Sequence, residues 1–110
     1  NRLKKDVQVV RVMPNTAIAI KQSMTCISVG NASQENIELV KNIFNTVGIC
    51  VGINEELMTS ATALCACGIA FFLRSIRAAS QGGVEVGFHA GEALKMAAQT
   101  AKAPADLLLQ

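Results

Sequence analysis

The segment TALCACGIAFFL, residues 62–73, gathers reactive side chains: two cysteines flank one alanine, and no charge follows until Arg74. Three chemistries compete for it. A structural zinc site takes four ligands, usually in pairs at wider spacing, whereas Cys65 and Cys67 diverge on a helix that turns about 100° per residue. Cys26 and Cys50 stand singly and His89 is the one histidine, so no metal site is expected. A dithiol redox centre wants Cys-x-x-Cys at a helix start, which is not the spacing here. The third reading rests on size. Ala61, Ala63, Cys65, Ala66, Cys67, Gly68 and Ala70 are all small. Small residues let a second backbone or a ligand approach a helix closely, and a free cysteine there behaves as a small hydrophobe.

A membrane span is the remaining possibility for this stretch. About seventeen residues separate Glu56 from Arg74, the lower limit for a spanning helix. Thr59, Ser60 and Thr62 dilute it and no positive-inside bias flanks it, so no membrane is expected.

Bulk properties narrow the rest. The chain has 110 residues, 51% hydrophobic and 16% charged, enough to bury a core in one small domain or parts of two. A net charge of +2, scattered Lys and Arg, and the lack of Trp and Tyr argue against a nucleic-acid partner. The opening NRLKKD is polar with no apolar run behind it, so no secretory signal is expected and the thiols suit a reducing cytoplasm. The sequence lacks an initiator Met and begins mid-pattern, like a piece of something longer.

The elements that must position these residues change character along the chain. Residues 7–13, VQVVRVM, predict a buried strand ended by Pro14, and MPNTA a loop. Residues 25–29 predict a second strand, closed by Gly30-Asn31. An amphipathic helix follows, capped by Ser33, with Glu35 in its first turn and Ile37, Val40, Ile43, Phe44 and Val47 at helical spacing; Gly48 is its expected stop. Residues 49–53 predict a third strand. From Glu55 on, behind Asn54 as N-cap, the pattern is helical. Gln81-Gly82-Gly83 is expected to weaken or bend it, Val84–Val86 leaves a short strand possible, and Gly87 ends the segment. A further helix fits 90–102, interrupted by Pro104. The fold class is therefore α/β over residues 1–54 and all-α over 55–110.

In this order and at this spacing, VVRVMPNTA, VGICVGINEELMTSATAL, QGGVEVGF and ALKMAAQT resemble pyrroline-5-carboxylate reductase. The similarity runs from about Val9 to Leu109. It implies the C-terminal part of a Rossmann-type nucleotide-binding domain, followed by the start of a helical domain that pairs into homodimers, which often assemble further. The family reduces 1-pyrroline-5-carboxylate to L-proline by hydride transfer from NADPH or NADH. The chain carries no G-x-G-x-x-G phosphate cradle, nor the family's later Ser/Gly/Thr-rich loop for the substrate carboxylate, so this segment alone is expected to be inactive.

The resemblance also implies site residues. Met13, Pro14, Asn15 and Thr16 match the loop at the C-terminal sheet edge beside the nicotinamide; their plainer role is a strand-to-loop turn. Ala17 stands where the family usually has Pro. Glu55 matches a carboxylate near the substrate, and its plainer role is to oppose the helix dipole. Thr62 matches the threonine whose hydroxyl reaches the substrate ring nitrogen; a mid-helix Thr otherwise bonds back to a carbonyl. Beyond it the family reads Leu-Ser-Gly-Ser-Gly-Pro-Ala, and this chain reads Leu64-Cys65-Ala66-Cys67-Gly68-Ile69-Ala70, keeping Gly68 and replacing hydroxyls by thiols, which are poor donors. Two other readings stand beside the reductase: a non-catalytic helical assembly module, and a related dehydrogenase acting on another imine or a β-hydroxy acid.

Overall fold

The computed structural model describes residues 4–110. The chain forms two compact units, the first ending at Ile69 and the second running from Ala70 to Gln110.

The first unit is built on a three-stranded sheet in the order β1-β2-β3: β1 is Val10–Met13, β2 is Ser23–Val29 and β3 is Gly48–Ile53. β1 runs antiparallel to β2, with Met13 opposite Cys26, and β2 runs parallel to β3, with Ser23 opposite Gly48. The parallel pair needs a crossover, and helix α1, Gln34–Asn45, supplies it. β2 is the central strand and is buried along most of its length, with Thr25 and Ile27 fully so.

Helix α1 starts where expected, with the Ser33 hydroxyl accepting from the Asn36 N–H. Ile37 is its buried residue, and burying it contributes about 1.5–3 kcal/mol. Ile43, expected on the same face, is exposed. Gly48 does not stop this helix. α1 ends at Asn45 with Thr46 as C-cap, and Gly48 opens β3 at φ +150°. A β-carbon on Gly48 would sit 2.0 Å from the Ser23 carbonyl oxygen, so the strand entry itself demands glycine.

The first strand is shorter than the expected 7–13. β2 ends at Val29, so Val7 and Val9 have no strand partner. The Asn31 side chain replaces it, accepting from the Val9 N–H at 2.8 Å and donating to the Val7 carbonyl at 2.9 Å. The expected MPNTA loop leads straight into a 3-10 turn, Thr16–Ile20, capped by Asn15.

Asn54 is extended, and its carbonyl accepts from the Leu57 N–H at 2.9 Å, but its side chain makes no capping bond. Behind it come a 3-10 turn, Glu55–Leu57, helix α2, Met58–Ala61, and a π-helical segment, Thr62–Cys67. Met58 is 2% exposed and belongs to the core of the first unit.

Helix α3, Gly68–Glu85, carries the chain into the second unit, which it forms with α4, Ala90–Leu108. Three expectations fail here. The helix runs through Gly82-Gly83 to Glu85, and Val84–Val86 is helix end and turn rather than strand. Helix packing explains the glycine: a β-carbon on Gly83 would lie 3.0 Å from the Ala93 β-carbon. Pro104 sits inside α4 without ending it, although it removes an N–H from the ladder and crowds the carbonyl one turn back. Gly87 does end its segment, at φ +112°. His89 caps α4 in a capping box with Glu92.

Glu55–Glu85 is 31 residues of continuous helix, long and apolar enough by length and composition to cross a membrane. The count ending at Arg74 was too short because the helix continues past that arginine. Only 11% of its most apolar window is buried within the chain.

Candidate active site

Three parts of the first unit meet around the start of the helical run: the end of β1 with its loop, the central strand β2, and the π-helical segment. Asn15 joins them. Its N–H donates to the Ser23 hydroxyl at 3.2 Å, its side-chain oxygen accepts from the Ala17 N–H at 3.1 Å, and its side-chain nitrogen donates to the Cys65 carbonyl at 3.0 Å. The last bond has a local cause. A π-helix bonds residue i to i+5, which leaves carbonyls free to take outside partners, and such segments recur at functional sites. The Ser23 hydroxyl also lies 3.0 Å from that of Thr25, so two buried hydroxyls in the central strand satisfy each other and the loop.

Met13 is half-buried, while Pro14 and Thr16 are exposed. This loop leaves the C-terminal end of β1, and because β2 returns antiparallel, the same edge is where β2 and β3 begin. The exposed part of the loop is uncharged and offers a proline ring and a hydroxyl.

Glu55 is tethered by two donors, the buried Ser28 hydroxyl from β2 and the Arg11 guanidinium from β1. These hydrogen bonds, the serine's first, hold its carboxyl below the usual carboxylate range. The Arg11–Glu55 ion pair is more than half exposed on both sides, so its own contribution to stability is small. Thr62 is half-buried and its hydroxyl donates to the Met58 carbonyl at 2.8 Å, the back-bond of a mid-helix threonine. With its proton committed, this hydroxyl faces any further partner as an acceptor. Gly68 is buried, yet a β-carbon there would meet only the Ala63 carbonyl at 3.8 Å, so neighbours within the chain do not require glycine at this place.

The structure therefore joins Asn15 to the helical segment that carries Thr62, and joins Glu55 to the sheet. Reading the sequence missed Arg11, Ser23 and Ser28. The signal for the two serines was present, because hydroxyls within the central strand SMTCISV must find partners when buried. Among the described residues no cluster of His, Cys, Asp or Glu is arranged to hold a metal, and all four cysteines are free.

An α/β sheet whose last strand leads into a long apolar helical run and a second long helix defines the class by architecture: an α/β layer followed by an all-α segment. The family model for pyrroline-5-carboxylate reductase dimerisation matches residues 55–110, half of the chain, and the chain belongs to that family. It is 51% identical over 122 residues to pyrroline-5-carboxylate reductase 1 of Dictyostelium discoideum, covering all of this chain and 22% of that protein. It is 50% identical over 115 residues to pyrroline-5-carboxylate reductase 2 of the same organism, covering 93% and 38%. The chain thus spans between about a fifth and two fifths of the relatives it matches. Among solved structures, the NADP-bound pyrroline carboxylate reductase of Plasmodium falciparum matches at a TM-score of 0.85 and 28% identity, over 92% of this chain and 42% of that one. The 1-pyrroline-5-carboxylate reductase of Streptococcus pyogenes matches at 0.89 and 30% identity, over 96% and 41%. The chain is the C-terminal part of a Rossmann-type domain followed by a helical dimerisation domain.

Proposed function

We propose that the protein containing this chain is a pyrroline-5-carboxylate reductase, reducing 1-pyrroline-5-carboxylate to L-proline, the last step of proline biosynthesis. The observation that carries the reading is the Asn15–Cys65 bond, which ties the Met13–Thr16 loop to the helical segment bearing Thr62, in a chain of this family. A bound NADPH or NADH supplies the hydride. Met13, Pro14, Asn15 and Thr16 shape the pocket of its nicotinamide end.

The chain's own residues bind and orient the substrate. A protonated imine is the better electrophile, and its ring N–H is a donor. Thr62, whose own proton is already given to Met58, accepts that N–H and favours the charged imine. The Glu55 carboxylate, kept ionised by Ser28 and Arg11, adds negative charge nearby. Gly68 keeps the helix surface low, and since no neighbour in the chain fills that space, it is open to the substrate or a second subunit. His89 opens α4 in the second unit, its N–H donating to the Glu92 carboxylate, and the proton comes from solvent.

We further assign residues 1–54 to the nucleotide-binding domain and 55–110 to the helical domain, with homodimerisation through the latter and a cytoplasmic setting. The family match and the exposed apolar helices support pairing; the four free thiols suit a reducing compartment. The test is NAD(P)H oxidation on adding 1-pyrroline-5-carboxylate to the full-length protein, beside Thr62→Ala. Loss of one hydrogen bond to a charged group predicts a fall of about 10- to 100-fold in kcat/KM. Unchanged turnover in Thr62→Ala removes that residue from the mechanism, and no turnover with either cofactor in a folded dimer removes the reductase.

A further inference from the structure

The two thiols nearest the candidate site do not sit apart. Cys26, on the central strand, is 3% exposed, and its Sγ donates to the Sγ of Cys65 across 3.8 Å. Cys65 lies on the π-helical segment and is half-buried, so it is the more exposed residue of the pair. The pair joins two chain regions 39 positions apart. Cys65 is also the residue whose carbonyl holds Asn15.

We propose that Cys26 and Cys65 are a reversible redox pair that takes a hydroperoxide as its oxidant and closes to a disulfide. The Cys65 thiolate attacks one oxygen of hydrogen peroxide, the O–O bond breaks, and the departing hydroxide leaves as water once protonated. Cys65 is then a sulfenic acid. The Cys26 sulfur attacks the Cys65 sulfur, the S–O bond breaks, and the hydroxyl leaves as a second water with the Cys26 proton. Two thiols lose two electrons, and one peroxide becomes two waters.

The asymmetry of the pair sets the order of events. Oxidation favours the thiol a peroxide can reach, and the greater exposure of Cys65 selects it over its buried partner. Burial first, and then the bond to Cys65, push the Cys26 thiol up to about 11, so it is held as the protonated resolving group. Contact offsets its low thiolate fraction, because a reactant held beside its target behaves as if highly concentrated. Closure from 3.8 Å to a bond of about 2.05 Å draws the π-helical turn toward β2. In a reducing compartment such a disulfide is transient and serves as a sensor.

The test treats the full-length protein with one equivalent of hydrogen peroxide, followed by intact mass and peptide mapping. The expected result is one linked peptide pair holding Cys26 and Cys65, about 2 Da lighter than the free peptides for the two hydrogens lost, and reversed by dithiothreitol. Cys67→Ser should leave that link intact and Cys65→Ser should abolish it. A link through Cys67 or Cys50 instead, or Cys65 ending as a sulfinic acid with Cys26 free, overturns the proposal in the unmodified protein, so no variant needs to fold for it to fail. A second readout rests on the reductase reading. The linked form should lose about tenfold in NAD(P)H oxidation by displacing Cys65 from Asn15. A link in a protein that never turned over leaves the redox pair standing and removes the reductase; full activity in the linked form removes the regulatory consequence.

Discussion

The two compact units solve opposite problems. Among the described residues, the large buried apolar side chains, Ile27, Ile37 and Met58, all belong to the first unit, where strand, crossover helix and the start of the helical run enclose them. The second unit buries Ala93, while Phe71, Phe72, Val86, Leu107, Leu108 and Leu109 stand at least 69% exposed. An apolar groove of about 870 Å³ runs within it, bordered by Phe72, Phe88, Met96 and Leu108. Surface apolar residues scattered singly are ordinary, but a contiguous apolar patch on this scale marks an interaction surface. The first unit owns its core, while the second leaves large apolar side chains exposed, as the proposed pairing of two helical domains would require. The proposed pairing would also account for the membrane-like hydropathy of Glu55–Glu85, because an apolar helix can be buried by a partner helix as well as by lipid.

That contrast breaks most sharply at Phe72, which is 70% exposed. In a two-fold dimer each side chain counts twice, so Phe72→Ala should remove roughly 3–6 kcal/mol from association, a hundredfold or more in Kd. Sedimentation equilibrium measures it. An unchanged Kd would mean the groove is covered by something other than a second copy. The converse test is Ile27→Ala, in the core of the first unit at 0% exposure. It should cost about 2–5 kcal/mol in unfolding free energy, read by denaturant titration. The dimer Kd should stay the same. If both substitutions move both quantities, the two units do not divide the work as described.

How much of this was legible follows from which interactions are local. The β-α-β order, the Ser33 cap and the stripe through Ile37 are local, and the sequence carries them openly. Gly48 misled because a glycine after a helix usually stops it, while here the constraint comes from Ser23, 25 positions earlier, on the neighbouring strand. Gly82-Gly83 misled for a related reason: the propensity cost of glycine is about 1 kcal/mol per residue, and close packing against Ala93 outweighs it. Pro104 likewise costs a bond that a 19-residue helix absorbs without ending. The site was half legible. Thr62, Glu55 and the Met13–Thr16 loop were named through a family resemblance. The π-helical geometry has no composition of its own, and the Ser28–Glu55 and Cys26–Cys65 contacts are tertiary.

The smallest effect sharpens the comparison from the side of charge, since the tethered carboxylate belongs to the first unit. Glu55 is held below its ordinary value of 4.5, so the folded state binds its proton less readily than the unfolded chain does. Its contribution is therefore complete above that value and is lost as pH falls through the lower folded-state value. Ser28→Ala removes the larger of the two hydrogen bonds, so stability should fall above pH 4.5, the difference from the parent should vanish as pH drops below both values, and the acid unfolding midpoint should move up. Arg11→Ala should move the midpoint in the same direction and by less, since the guanidinium is 62% exposed and water already screens it. Acid titration followed by circular dichroism reads both. An acid limb that ignores Ser28→Ala would mean the sheet does not hold Glu55, and a limb that responds to Arg11→Ala alone would place the tether in the surface ion pair rather than in the buried strand.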